Sequence, residues 1–179
     1  MFEILKKYTP IHGYEMFDKF VTYAPSTVII RDNHNYVIAN ELSLMAIDPV
    51  KCEIVQYGHM VKAERRQLEQ AGCVIGSPLK NGTVADFTLA CNFFEQIITT
   101  YFKRPHYFMR RPVIVLCLPE STHAEMRTFI EVIKYTAYAK FVDPTEETYR
   151  SFYERALEIA QGKPLKKYYD YVYEIIPAP

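Results

Sequence analysis

Hydrophobic and polar positions change their period partway along this chain. In the first third, short runs of β-branched and aromatic residues alternate with turn formers. Phe20 to Ala24 and Thr27 to Arg31 read as strands, and Asp32-Asn33-His34-Asn35 reads as a turn. Tyr36 to Ala39 follows as the next strand. Ser43 to Ile47 and Cys52 to Gln56 are two more, divided by Asp48-Pro49. The pattern predicts an antiparallel meander. His59 to Ala71 reads as one helix, charged on one side through Lys62, Glu64, Arg65, Arg66 and Glu69. Gly72 stands where a helix-terminating glycine belongs. Cys73 to Ile75 is a short apolar run, and Pro78 to Gly82 a turn.

From Thr88 the period lengthens. Leu89, Phe93, Phe94, Ile97, Ile98, Tyr101 and Phe102 recur at helical spacing, with Asp86 as the N-cap and Pro105 as the stop. Val113 to Leu118 is continuously apolar, the mark of a strand covered on both faces in a parallel sheet. Thr122 and Glu125 form a capping box for a helix whose apolar face is Met126, Phe129, Ile130 and Ile133. Lys140 to Val142 is a short strand. Asp143-Pro144-Thr145-Glu146 then reads as N-cap, N1 and N3 of a helix running to about Ala160, closed by Gly162. The aromatic tail, Tyr168 to Ile176, fits helix or strand.

The element order is a meander followed by α, β, α, β, α. It predicts a mixed α/β (α+β) domain, a mixed sheet with helices on its faces, of the ribonuclease-H-like, actin-like type with a small inserted subdomain. The organisation expected is an N-terminal segment at 1–18, one domain at 19–162 with the insertion at about 43–80, and the aromatic tail at 163–179.

Composition sharpens this picture in three ways. The 179 residues carry 21 Lys plus Arg against 21 Asp plus Glu, and a net charge of zero argues against a protein built mainly to hold nucleic acid. No apolar run is long enough to span a membrane as a helix. The four cysteines, Cys52, Cys73, Cys91 and Cys117, form no C-x-x-C and read as buried small hydrophobes in a reducing compartment. A Cys–His nucleophile pair, for example Cys117 with His123, could assemble in space, but Cys117 lies mid-strand in an apolar run, which reads as a buried, inert thiol.

Three stretches resemble the MreB family of bacterial actins. Asn40-Glu41-Leu42-Ser43-Leu44-Met45-Ala46-Ile47-Asp48 is similar to the family's N-E-P-S-V-V-A-I-D. Pro78-Leu79-Lys80-Asn81-Gly82-Thr83-Val84-Ala85-Asp86-Phe87 resembles P-L-K-D-G-V-I-A-D-F. Arg111-Pro112-Val113-Ile114-Val115-Leu116-Cys117-Leu118-Pro119, followed by Ser121, resembles R-P-x-V-V-I-C-V-P-S. They occur in the family's order, and the resemblance covers about residues 20 to 146. It reaches only the first of the family's two large domains. The second supplies half the phosphate contacts and the adenosine pocket.

The family's first phosphate loop, D-L-G-T-A-N-T, falls on Val21-Thr22-Tyr23-Ala24-Pro25-Ser26-Thr27. Its metal-holding acid becomes Val21 and its glycine Tyr23, while Pro25 has no N–H to offer a phosphate. Ser26 and Thr27 remain as vestigial phosphate contacts. The family's E-E-P motif is met only loosely, by Asp143-Pro144-Thr145-Glu146-Glu147.

The resemblance therefore implies an orphan actin-like domain with no catalytic residue, metal or cofactor, acting in protein interaction or with the cytoskeleton. Two alternatives stand beside it. One is a nucleotide-dependent cell-shape filament protein, using ATP and Mg²⁺, whose second domain comes from another chain. The other is a small ribonuclease-H-like enzyme. The partners expected are another protein or a second copy, not nucleic acid. Candidate contact residues are Phe2, Ile4, Leu5, Lys6 and Lys7 in the amphipathic N-terminal segment, and Arg104, Arg110 and Arg111 in a basic, aromatic loop. The N-terminal segment either packs across the domain's own sheet or docks on the inner membrane face, which would make a cytoplasmic protein peripheral to that membrane.

Overall fold

Among the described residues, a five-stranded sheet, a three-stranded sheet, a two-stranded hairpin and five helices form the regular structure. The computed structural model describes residues 24–102, 111–165 and 168–179. β1 (Thr27–Asp32) and β2 (Val37–Leu42) form the first hairpin, and β3 (Met45–Asp48) and β4 (Glu53–Tyr57) the second. Two short helices follow, α1 (His59–Ala63) and α2 (Arg65–Gln70), then β5 (Val74–Gly76) and the small hairpin of β6 (Leu79–Lys80) and β7 (Thr83–Val84). The remainder alternates: α3 (Phe87–Tyr101), β8 (Val113–Cys117), α4 (His123–Ala137), β9 (Phe141–Thr145), α5 (Tyr149–Ile159) and β10 (Tyr171–Ile176).

The larger sheet has the order β2-β1-β10-β8-β9. β10 runs antiparallel to β1 and parallel to β8, and β8 runs parallel to β9. The aromatic tail, ambiguous in sequence, is thus the middle strand of the sheet. Its side chains alternate between two cores. Tyr173 and Ile175 join Phe94, Ile97 and Phe129 beneath α3 and α4. Val172 joins Val115, Tyr149 and Phe152 beneath α5. β8 is divided in the same way, Ile114 and Leu116 on one face and Val115 and Cys117 on the other, as its unbroken apolar run predicts.

A separate three-stranded sheet, β4-β3-β5, carries α1 and α2 on one face through Leu44, Val61, Leu68 and Ile75. Its other face packs Met45 and Ile47 into the main core, with Tyr57 edge-on to Phe93 at 6.4 Å.

Three outer edges are interrupted. Ile30 pairs with Ala39 and Arg31 with Val37, so Ile38 is an extra residue in β2. Ala46 pairs with Gln56 and Ile47 with Ile54, so Val55 is an extra residue in β4. β9 carries Pro144. Bulges and proline spoil an edge as a template for further pairing.

Most elements lie where the sequence puts them, including the Asp86 cap of α3 and the Thr122–Glu125 capping box of α4. Three readings change. The helix over His59 to Ala71 is broken at Glu64, whose backbone (φ −103°, ψ 14°) separates α1 from α2. Asp143 and Pro144 do not open α5. They lie in β9, paired with Val115 and Leu116, and Thr148 is the cap, accepting from the Ser151 N–H. An edge strand tolerates a proline, and pairing with β8 outweighs the local capping signal. Cys52 and Cys73 are half-buried rather than buried, unlike Cys91 and Cys117. Among the described residues no helix is long and apolar enough to cross a membrane.

Candidate functional site

In open α/β sheets ligands gather outside the carboxyl ends of the parallel strands. Here that end is bounded by Cys117 of β8, Thr145 of β9 and Glu174 to Ile176 of β10. β10's antiparallel neighbour β1 brings Thr27 opposite Ile176. Ser26, one of the two residues that sequence resemblance suggested as vestigial phosphate contacts, lies next to this edge and is fully buried. Its amide donates to Ser43 Oγ at 2.8 Å, its hydroxyl oxygen accepts from the Gly82 N–H at 3.1 Å, and its carbonyl accepts from the Ser43 N–H at 2.8 Å. Ser43 Oγ lies 2.8 Å from Ser77 Oγ, which donates to the Leu79 carbonyl at 2.7 Å. The three buried serines thus bind β1, β2 and the β6–β7 hairpin together. Thr27, the other contact, is a paired residue of β1.

Gly82 makes this arrangement possible. Its φ is 81°, and a Cβ there would lie 2.5 Å from Cγ of Pro119, just past the end of β8. The hairpin turn therefore closes directly over the carboxyl edge.

On the α5 side of the same edge, Glu174 accepts from the Tyr149 N–H at 3.4 Å, in the first turn of α5. Glu147 pairs with Arg155, at 3.1 Å from Nη2. The guanidinium of Arg31 lies 4.5 Å from the Tyr149 ring centre, and the Tyr149 hydroxyl bonds Asn35 Oδ1 at 2.5 Å. Cys117, buried here, has its thiol pushed up to about 12, first by burial and then by the nearby Glu174 and Glu147 carboxylates. Its side chain packs on the α5 face with Val115 and Phe152, whereas His123 is exposed at the start of α4, which covers the other face, so the two form no nucleophile pair. Among the described residues no group of His, Cys, Asp and Glu could hold a metal ion.

A second polar node joins the two sheets. Glu41 of β2 accepts from the His59 N–H at 2.8 Å and from the Tyr101 hydroxyl. Tyr101 is pushed up to about 12, chiefly by that hydrogen bond and then by burial. Tyr57 reaches the same helix, its hydroxyl 2.6 Å from Thr100 Oγ1.

Of the candidate contact residues, Arg111 is exposed two residues before β8. Phe2, Ile4, Leu5, Lys6, Lys7, Arg104 and Arg110 lie outside the described residues. Sequence reasoning attached no role to Glu41, Ser43, Ser77, Gly82 and Glu174. Glu41 and Ser43 stand inside the first quoted motif and Gly82 inside the second, so the signal was present without a role attached to it.

The family model described as MreB/Mbl protein covers residues 24–160 of this chain. Among solved structures, two of MreB5 of Spiroplasma citri are similar, one bound to ADP (TM-score 0.54) and one to AMPPNP (TM-score 0.56). In both, identity is 22% and the alignment covers 68% of this chain and 35% of the other. The chain thus spans about a third of the length of these structures, and at that identity the likeness is one of fold. No curated protein matches the chain. The family coverage, the mixed sheet and the three motifs agree: this chain belongs to the MreB/Mbl family and has its actin-like fold.

Proposed function

We propose that this chain is a non-catalytic, actin-like interaction module. The observation that carries the reading is the engagement of Ser26. Its amide, hydroxyl oxygen and carbonyl all bond within the protein, and the Gly82 turn lies against Pro119 over the edge where a phosphate would sit. Both hydrogen-bonding edges of β1 are also occupied, by β2 and by β10. β10 leads into Pro177-Ala178-Pro179, in which two of three residues lack an N–H. The described residues at this edge do not fit a nucleotide phosphate, and we derive no chemical step through one. The domain is left with surfaces to offer, and its work is to bind another protein or a second copy as a monomer or small oligomer.

Isothermal calorimetry with ATP and Mg²⁺ on the full-length protein tests this. No heat of binding is expected. A micromolar dissociation constant would overturn the reading.

One observation favours a second reading. Glu146 and Glu147 directly follow β9 at the carboxyl edge, and the similar Spiroplasma citri structures hold ADP or AMPPNP. A nucleotide-dependent filament protein completed by another polypeptide would need those carboxylates. In it, ATP binding would appear only when the second polypeptide is added.

A further inference from the structure

The hairpin of β1 and β2 is fully covered on one side only. Its inner side, Val28, Ile30, Ala39 and Glu41, is buried. Its outer side consists of two cross-strand pairs, Ile29 with Asn40 and Arg31 with Val37. Val37 is 51% exposed, Asn40 is exposed, and Ile29 and Arg31 are half-buried. α5 lies on this side of the sheet, but the core beneath it is built with residues of β8 and β10. Tyr149 reaches the hairpin at Arg31 and Asn35, which leaves Val37 and Asn40 open.

Arg31 stands in this face without a partner for its charge. Its guanidinium lies 4.5 Å from the Tyr149 ring centre, a stacking contact that holds it in place. Tyr149 is itself fixed, by Asn35 at its hydroxyl and by Glu174 at its N–H. Nε of Arg31 is buried with no acceptor. The two Nη groups have no hydrogen bond or ion pair among the described residues either, but they are not buried. The neighbouring carboxylates are committed elsewhere. Glu174, diagonal to Arg31 on β10, accepts from the Tyr149 N–H, and Asp32 accepts from the N–H groups of His34 and Tyr36.

We infer that this face seats an acidic segment of a partner protein, with Arg31 gripping an aspartate or glutamate through its Nη groups. The planar fork of arginine suits a carboxylate in two parallel bonds. The stack on Tyr149 has already ordered that fork, so little freedom is lost on binding. Apolar residues beside the carboxylate cover Val37 and Ile29. The extra residue Ile38 spoils β2 as an edge, so the segment lies across the face instead of adding a strand. Charge complementarity selects this occupant, because the four residues of the face include one cation and no acid. The inference rests on the interaction-module reading and gives it a partner chemistry, an acidic residue flanked by apolar ones.

The test is a titration of the full-length, isotope-labelled protein, followed by NMR through the Arg31 Nε–H signal and the backbone amide of residue 37. The probe is a capped Leu-Glu-Leu peptide, with Leu-Gln-Leu, Leu-Lys-Leu and inorganic phosphate as controls. Leu-Glu-Leu should shift both signals saturably, and more weakly as salt is raised. The controls should bind at least tenfold more weakly. Arg31→Lys keeps the charge but loses the fork, and should weaken the response at residue 37 at least tenfold. Val37→Ser, at an exposed position, should weaken binding severalfold while the melting temperature stays unchanged. Equal shifts from Leu-Gln-Leu, or an unchanged response in either variant, would overturn the assignment. So would phosphate that saturates at the peptide's concentration, since it would mark a bare anion contact. Signals unmoved by every probe would mean that the face is already covered, and would overturn it too. None of these outcomes alters the ATP calorimetry, so failure here is distinct from failure of the interaction-module reading.

Discussion

A Cβ placed on Gly58 would stand 2.0 Å from Oε2 of Glu41. The glycine's φ of 72° lies in the left-handed region, and the room it leaves is filled by the carboxylate that joins the two sheets. Gly58→Ala should strain the turn and displace Glu41 together. Strain contributes about 1 kcal/mol, and a lost hydrogen bond to a charged group about 1.5–3 kcal/mol. We expect the urea midpoint to fall by the equivalent of at least about 2 kcal/mol, with the slope unchanged. A much smaller fall would show that Glu41 swings aside freely.

The raised phenols and thiols give a pH dependence of fixed sign. Tyr101 and Tyr169 move from 10.0 to about 12, and Cys91 and Cys117 from 9.0 to about 12. Each folded-state value exceeds the unfolded one, so above pH 9 the native state holds more protons. The stability these groups contribute is complete below their unfolded values and declines as pH rises through 9 to 12. Urea midpoints measured across that range should fall steadily. Tyr101→Phe should be less stable at neutral pH by about 1 kcal/mol, less than the range for a fully buried bond to a charged group because the site is partly exposed. It should also fall less steeply above pH 10.

Thiol chemistry separates the cysteines. Cys91 and Cys117 are buried, while Cys52 and Cys73 are half-buried. A thiol-disulfide reagent at neutral pH should label Cys52 and Cys73 in the native protein and reach the other two only after denaturation. Rapid native labelling at Cys117, located by peptide mapping, would contradict its position between β8 and α5.

Two strand residues test the place of β10. Tyr173 is fully buried at the centre of the sheet, stacked on Phe94 at 6.2 Å, and Ile176 at the strand's end is 40% exposed. Tyr173→Ala should cost about 3–5 kcal/mol. Ile176→Ala should cost under about 1 kcal/mol, as its burial is partial. Similar losses at the two sites in chemical denaturation would contradict a central β10.

The start of α5 offers a paired comparison. Thr148→Ala should lose about 1 kcal/mol as the true cap. Asp143→Ala, in an exposed position on edge strand β9, should change the melting temperature little. The reverse order would restore Asp143 as the cap.

Local signals were legible and distant ones were not. Asp86, Thr122 with Glu125, and the apolar run of β8 announce their elements because the deciding contacts lie within a few residues. The seat of β10 depends on β1, near the other end of the sequence, and nothing in Tyr171 to Ile176 names that partner. Asp143-Pro144 shows local evidence overruled, because β8 offered a ladder that the capping pattern could not foresee. At the carboxyl edge, the alignment of Ser26 with a phosphate loop was visible. Its bonds to Ser43 and Gly82 were not, since they join three segments far apart in the sequence.

The central position of β10 also shapes how the protein folds. The native outer edges are guarded, by Ile38 in β2, by Val55 in β4 and by Pro144 in β9. The edges of β1 and β8 that face β10 have no proline, and pairing across both is regular, with no bulge. Until residues 171–176 arrive, two clean, apolar strand edges stand open, and closing them requires contacts between segments remote in sequence, a slow step. Aggregation should therefore compete with folding most strongly before that insertion, and fast addition of denatured protein to buffer should yield more precipitate than slow dilution.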